Sequence, residues 1–236
     1  MNGGTSGLGI RGSGLGAFAG LLFTFISLGF AAVPPGSGAE PDFTVTVRVY
    51  DYARIGRETL AKGEIETTEI LRRAGIELAW IDCTLAASGG KLQPVCQEDL
   101  GPTDISLRIL PRSMSVHSPF RDNTLGFAGL SGEGEQGTMA SIFYFGVQDL
   151  ARMGDVPEHK ILGHAIAHEI GHLLLRTIGH TSSGIMRVTW GRKDLKRLNM
   201  EGLFFTEVQA EVMRVEVRAR RTQQEAARIA SEHPRR

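Results

Sequence analysis

Residues 163–175 read Gly-His-Ala-Ile-Ala-His-Glu-Ile-Gly-His-Leu-Leu-Leu, and no other stretch constrains the chain as strongly. Leu162, Ile166, Ile170 and Leu173 recur at helical spacing, so a helix docked on a core is predicted over residues 158–176. On that helix His168 and His172 lie one turn apart on one face, where two imidazoles can share one Zn²⁺. Glu169 follows the first histidine and projects beside the ion without binding it, placed to accept a proton from a bound water. Gly171 lets the helix approach a neighbour closely.

A zinc site that keeps one position open needs a third protein ligand. His180 follows His172 by eight residues and cannot reach the same ion from a straight helix. The helix must therefore end, and Gly179, which tolerates φ > 0, is the expected point of reversal. His164 extends the histidine row by one turn and reads as a cleft or supporting group. His117, His159 and His233 have no partner pattern and read as solvent-facing. A purely structural zinc site needs no base, so Glu169 favours an enzyme over a zinc-stabilised protein that binds a partner through its C-terminal helix.

The rest of the chain supplies a sheet and helices. Residues 43–50 alternate apolar and polar, the pattern of a strand. An amphipathic helix is expected over 56–74, marked by Leu60, Ile65, Ile70 and Leu71 and ended by Gly75. Strands are expected at 76–81, at 104–110 before Pro111, and at 138–145. The Gly-broken stretch 125–130 reads as an edge strand with a bulge or a close backbone approach. A peptide could add as a strand there, along Gly126, Phe127 and Ala128, although a plain surface hairpin fits the same residues. Loops follow at 131–137 and 179–184. A long helix is expected over 206–231, with its Arg-rich end from Arg214 onward read as a solvated face; contact with membrane headgroups or an envelope partner is the other reading. The order β-α-β-β-β-β-α-turn-α predicts one α/β (α+β) domain over residues 41–236.

The first forty residues read differently. Arg11 precedes an uncharged, mostly apolar stretch over 15–33, and small residues and Pro34-Pro35-Gly-Ser-Gly follow. This is the pattern of a secretory leader cleaved after Ala31 or Ala39; an uncleaved membrane anchor over 15–33 is the alternative. Export in turn predicts that Cys83 and Cys96 form a disulfide, closing a loop that holds Ser88-Gly89-Gly90 and Pro94. Lys+Arg and Asp+Glu both number 26, so no net charge draws the chain to nucleic acid.

At residues 168–186 the chain resembles the metzincin clan of zinc endopeptidases, whose pattern is HExxHxxGxxH followed by a Met-turn. His168, Glu169, His172, His180 and Met186 match in kind, with Gly184-Ile-Met186 as the turn. The resemblance implies a zincin-like twisted mixed sheet with an antiparallel edge strand, an active-site helix, and Met186 as an apolar base under the ligands. It also implies hydrolysis of a peptide or protein substrate. The chain departs from the pattern in three places: Leu175 stands at the usual Gly position, Ile178 stands where the third His is expected, and Arg187-Val188 replaces a Tyr found after the turn in some members. Tyr144 and Arg187 are then the candidates for stabilising an oxyanion. A gluzincin-type site, with Glu207 or Glu211 as third ligand, is the competing arrangement.

Overall fold

The computed structural model describes residues 43–84, 91–114, 124–130 and 132–232. The expected leader, residues 85–90 of the cysteine loop, His117 and His233 lie outside them. Five strands form the sheet: β1 (Thr44–Asp51), β2 (Glu77–Asp82), β3 (Asp104–Leu110), β4 (Gly126–Ala128) and β5 (Met139–Phe143). The helices are α1 (Arg57–Arg73), α2 (Tyr144–Gly154), α3 (Glu158–Leu175), α4 (Arg192–Met200) and α5 (Glu207–Glu232). The sheet order is β2-β1-β3-β5-β4, with every neighbouring pair parallel except β4–β5. The fold is thus mixed α/β with an antiparallel edge, as the sequence predicts.

Alternation builds the sheet. Val45, Val47 and Val49 of β1 and Ile105, Leu107 and Ile109 of β3 are buried and contribute to the same core as α3. Every residue of α3 from Ile161 to Leu174 is buried, so this helix is central rather than amphipathic. Its contact with α1 corrects an expectation. Ile65 is 63% exposed, and the packed face of α1 carries Gly63 and Thr67 instead. A Cβ at Gly163 would lie 2.8 Å from the Gly63 carbonyl oxygen, and the Thr67 hydroxyl donates to the Gly163 carbonyl at 3.1 Å. Small residues set this helix–helix distance, and a branched apolar marker has no room there.

Two helices differ from the sequence reading. The strand expected to reach residue 145 stops at Phe143, and Tyr144 opens α2, with Val147 and Ala151 buried one turn apart. In α4 only Leu195 and Leu198 are buried, too few to show a period, while the Asp194 carboxylate accepts the Gly191 N–H at 2.9 Å and starts the helix. The solvated face expected from Arg214 onward is corrected in part: Glu216, Val217 and Arg220 are buried, and α5 is exposed throughout only after Arg220. Cys83 and Cys96 form the expected disulfide, with Cα atoms 5.6 Å apart. Among the described residues no helix is long and apolar enough to cross a membrane.

Candidate metal centre

The three histidines named from the sequence come together. Their nearest ring nitrogens all lie within 4.8 Å of one another, and they are the cluster of three or more metal-capable side chains found among the described residues. His168 and His172 are buried on α3, and His180 is exposed on the turn beyond it. The His168 Nδ1–H donates to the Ile185 carbonyl at 2.8 Å, and the His172 Nδ1–H to the Thr177 carbonyl at 2.7 Å. A carbonyl can only accept, so both rings must carry their proton on Nδ1. Both Nε2 atoms are then bare acceptors, yet they face each other at 3.1 Å. Two converging lone pairs with no proton between them repel unless a cation joins them. Tetrahedral Zn–N bonds of about 2.0–2.1 Å place ligand nitrogens about 3.3 Å apart, close to what this pair shows.

Burial keeps the cluster neutral and ready to ligate. It lowers the pKa of His168 to about 3, aided by the adjacent His172, and burial likewise lowers His172 and His180. Glu169 is also buried, and burial raises its carboxyl to about 8. The edge strand makes room for it. A Cβ at Gly126 would stand 2.9 Å from Glu169 Oε1 and 2.6 Å from the Ser141 carbonyl oxygen. The close backbone approach expected in residues 125–130 is therefore at Gly126, where the edge strand meets the carboxylate; Phe127 and Ala128 continue that strand.

The chain leaves α3 differently from the expectation. Arg176, not Gly179, takes the left-handed conformation with φ 52°, and its N–H closes the helix on the His172 carbonyl. Gly184 also has positive φ, at 76°, and opens the turn carrying Ile185 and Met186. The Thr181 N–H donates to the Met186 carbonyl at 2.8 Å, which closes that turn. Met186 is buried beneath the helix; a Cβ at Gly171 would lie 2.8 Å from its sulfur. Gly171 thus brings helix and turn together between the two helical histidines.

Other expected residues lie elsewhere. The Tyr144 hydroxyl donates to Glu158 at 2.5 Å, at the start of α3 and about 15 Å of helix rise from His168. Arg187 is paired with both carboxylate oxygens of Asp194 at 3.0 Å. Neither Glu207 nor Glu211 joins the histidines, and Glu211 is engaged by Arg214. His159 is half-buried rather than solvent-facing. His164 lies one turn before His168 with both ring nitrogens engaged away from the cluster: its Nδ1–H donates to the Lys160 carbonyl at 2.8 Å and its Nε2 accepts the Leu203 N–H at 3.0 Å. Sequence reasoning missed Trp190, which stands edge-on to both His164 and His168 with ring centroids 6.2 and 6.0 Å away. It also missed the carbonyls of Thr177 and Ile185, since main-chain acceptors leave no trace in residue type.

No protein-family model matches the chain, and no curated protein does. Among solved structures the chain is similar to archaemetzincin from Methanopyrus kandleri, at 14% identity and a TM-score of 0.47, over 78% of this chain and 98% of that one.

Proposed function

We propose that this protein is a zinc-dependent endopeptidase of metzincin-like type. One observation carries the reading: two buried imidazoles, each locked by a carbonyl into the tautomer that ligates, present bare Nε2 atoms 3.1 Å apart beside a buried carboxylate. An all-imidazole donor set suits Zn²⁺, and His168, His172 and His180 would hold it with a fourth position left open. Bound there, Zn²⁺ would supply Lewis-acid chemistry, acidifying water toward a pKa of about 7 and polarising a carbonyl.

The chain's own groups do the rest. Glu169 takes the proton of the attacking water and delivers it to the leaving amine. Burial raises its carboxyl to about 8, and a cation held by the three histidines beside it would favour the ionised form that accepts the proton. The substrate lies as a further strand along Gly126, Phe127 and Ala128, which places the scissile bond beside Glu169. Gly184, Ile185 and Met186 act as the Met-turn: the Ile185 carbonyl orients His168, and Met186 forms the apolar floor. Export from the cytoplasm is part of the same proposal, supported by the leader-like residues 1–40 and the Cys83–Cys96 disulfide.

Glu169→Gln should retain one zinc per chain and lose at least about 100-fold in hydrolysis of a denatured protein, the usual range for a general base. Zinc content and peptide release are the two measurements. A zinc-loaded variant with full activity would sink the mechanism.

A further inference from the structure

The Thr177–Ile178 peptide lies between His172 and a second carboxylate. Its carbonyl accepts the His172 Nδ1–H at 2.7 Å, and its N–H donates to Glu133 Oε1 at 3.0 Å. Both bonds share one planar, conjugated amide, so an anion at the N–H end increases the negative charge on the carbonyl oxygen. An imidazole that donates to a stronger acceptor is a more basic ligand at its other nitrogen. Glu133 therefore stands to His172 as a carboxylate stands to a metal-binding histidine, with one peptide group interposed.

The surrounding contacts show that this arrangement is built. Glu133 belongs to the loop between β4 and β5, which grips the segment after α3 twice more: the Gly134 N–H donates to the Arg176 carbonyl at 2.8 Å, and the Arg176 guanidinium donates to the Gly134 carbonyl. The loop is tied in turn to α5, through Gln136 to Glu216 at 3.0 Å and through the Gly137 carbonyl to Arg220 at 3.0 Å. Arg176, a non-glycine residue at positive φ, needs outside support of this kind. The support is placed where the spacer between His172 and His180 is longer than the HExxHxxGxxH pattern.

We propose that Glu133 is a positioning residue for the metal centre: through the Thr177–Ile178 peptide it orients His172, strengthens that ligand and holds the spacer that returns His180. The proposal rests on the metal-site reading given above. It is tested on the full chain by zinc affinity, measured in competition with a chromophoric chelator, together with melting of the zinc-free protein. Glu133→Ala should weaken zinc about 10-fold or more, the range for supporting partners of metal ligands. Glu133→Gln keeps an acceptor for the Ile178 N–H but loses the charge, and should weaken zinc several-fold with the zinc-free melting temperature unchanged. If the unaltered protein binds zinc and both variants match it within about two-fold, well inside the expected loss, the proposal is overturned and the metal site stands. A Gln variant equal to the unaltered protein beside a weakened Ala variant overturns the electrostatic coupling and leaves a mere clip. An unaltered protein that binds no zinc overturns the metal-site reading itself.

Discussion

His164 is fully buried with both ring nitrogens committed, Nδ1–H to the Lys160 carbonyl and Nε2 to the Leu203 N–H, so only the neutral ring fits. Burial lowers its pKa to about 4, with the Lys160 charge acting in the same direction; Glu66 lies 3.7 Å from Nδ1, and its own pKa is raised by burial. As pH falls, the unfolded chain takes up this proton first. The stability is therefore complete above about pH 6.5 and is lost as pH drops toward 4, at a total of about 3 kcal/mol. Urea unfolding of the zinc-free protein at pH 7 and 4.5 should show a smaller pH difference in His164→Gln than in the unaltered chain. Equal differences would reject this account, and the comparison cancels the separate titration of His168. Gly126 carries a second residue-scale prediction. A Cβ there meets the Glu169 side chain and the Ser141 carbonyl, so Gly126→Ala must push edge strand and carboxylate apart. Displacement of a reacting group by about 1 Å can cost about 100-fold, so hydrolysis should fall steeply while zinc content holds. Normal hydrolysis by that variant would remove β4 from the site.

Arg220 ties α5 to the end of α3. It is 1% exposed, donates to the Leu173 carbonyl at 2.9 Å and to the Gly137 carbonyl at 3.0 Å, and pairs with Glu216 at 2.8 Å. Leu173 lies in the last turn of α3, where carbonyls lack helical partners and a cation is favoured. Arg220→Ala strands two carbonyls and leaves the buried Glu216 carboxylate only Gln136 at 3.0 Å and Arg176 at 3.7 Å, and should cost about 3 kcal/mol in denaturant unfolding. A loss below about 1 kcal/mol, the value of an exposed pair, would show that the network is solvated. This contact also shows what a sequence hides at the scale of elements. The helix α3 was legible because its period, its histidine spacing and its apolar content agree. The chain after Arg214 looked solvated because a buried arginine and an exposed one are the same letter. Ile65 and Gly179 misled for a related reason: an apolar residue needs space opposite it, and left-handed backbone needs a bracket, and both come from other segments. Helices α2 and α4 were lost because aromatic residues open the first and the second buries only two leucines.

Across the molecule, the strands were legible one by one, but the order β2-β1-β3-β5-β4 was not, because pairing depends on crossovers that no local pattern records. That order separates two constraints. The disulfide leaves the end of β2 at one edge of the sheet, and the histidine cluster with Glu169 lies by β4 at the other, four strand spacings or about 19 Å away. Their contributions to stability should therefore add. Reduction should remove about 3 kcal/mol whether or not zinc is present. Zinc at about 1,000 times its dissociation constant should add about 4 kcal/mol, or roughly 8–16 °C in melting temperature for a domain of this size. The increment has a structural origin: the ion would join α3 to the turn that carries His180, and so fix the segment from Arg176 to Met186 that otherwise depends on hydrogen bonds to the β4–β5 loop and to Phe204. Melting with excess zinc or with chelator, in the unaltered protein and in His180→Ala, measures it. The zinc-dependent rise should shrink by at least half in the variant, because two ligands on one helix join nothing beyond that helix. An undiminished rise would assign the ion to α3 alone and remove His180 from the site.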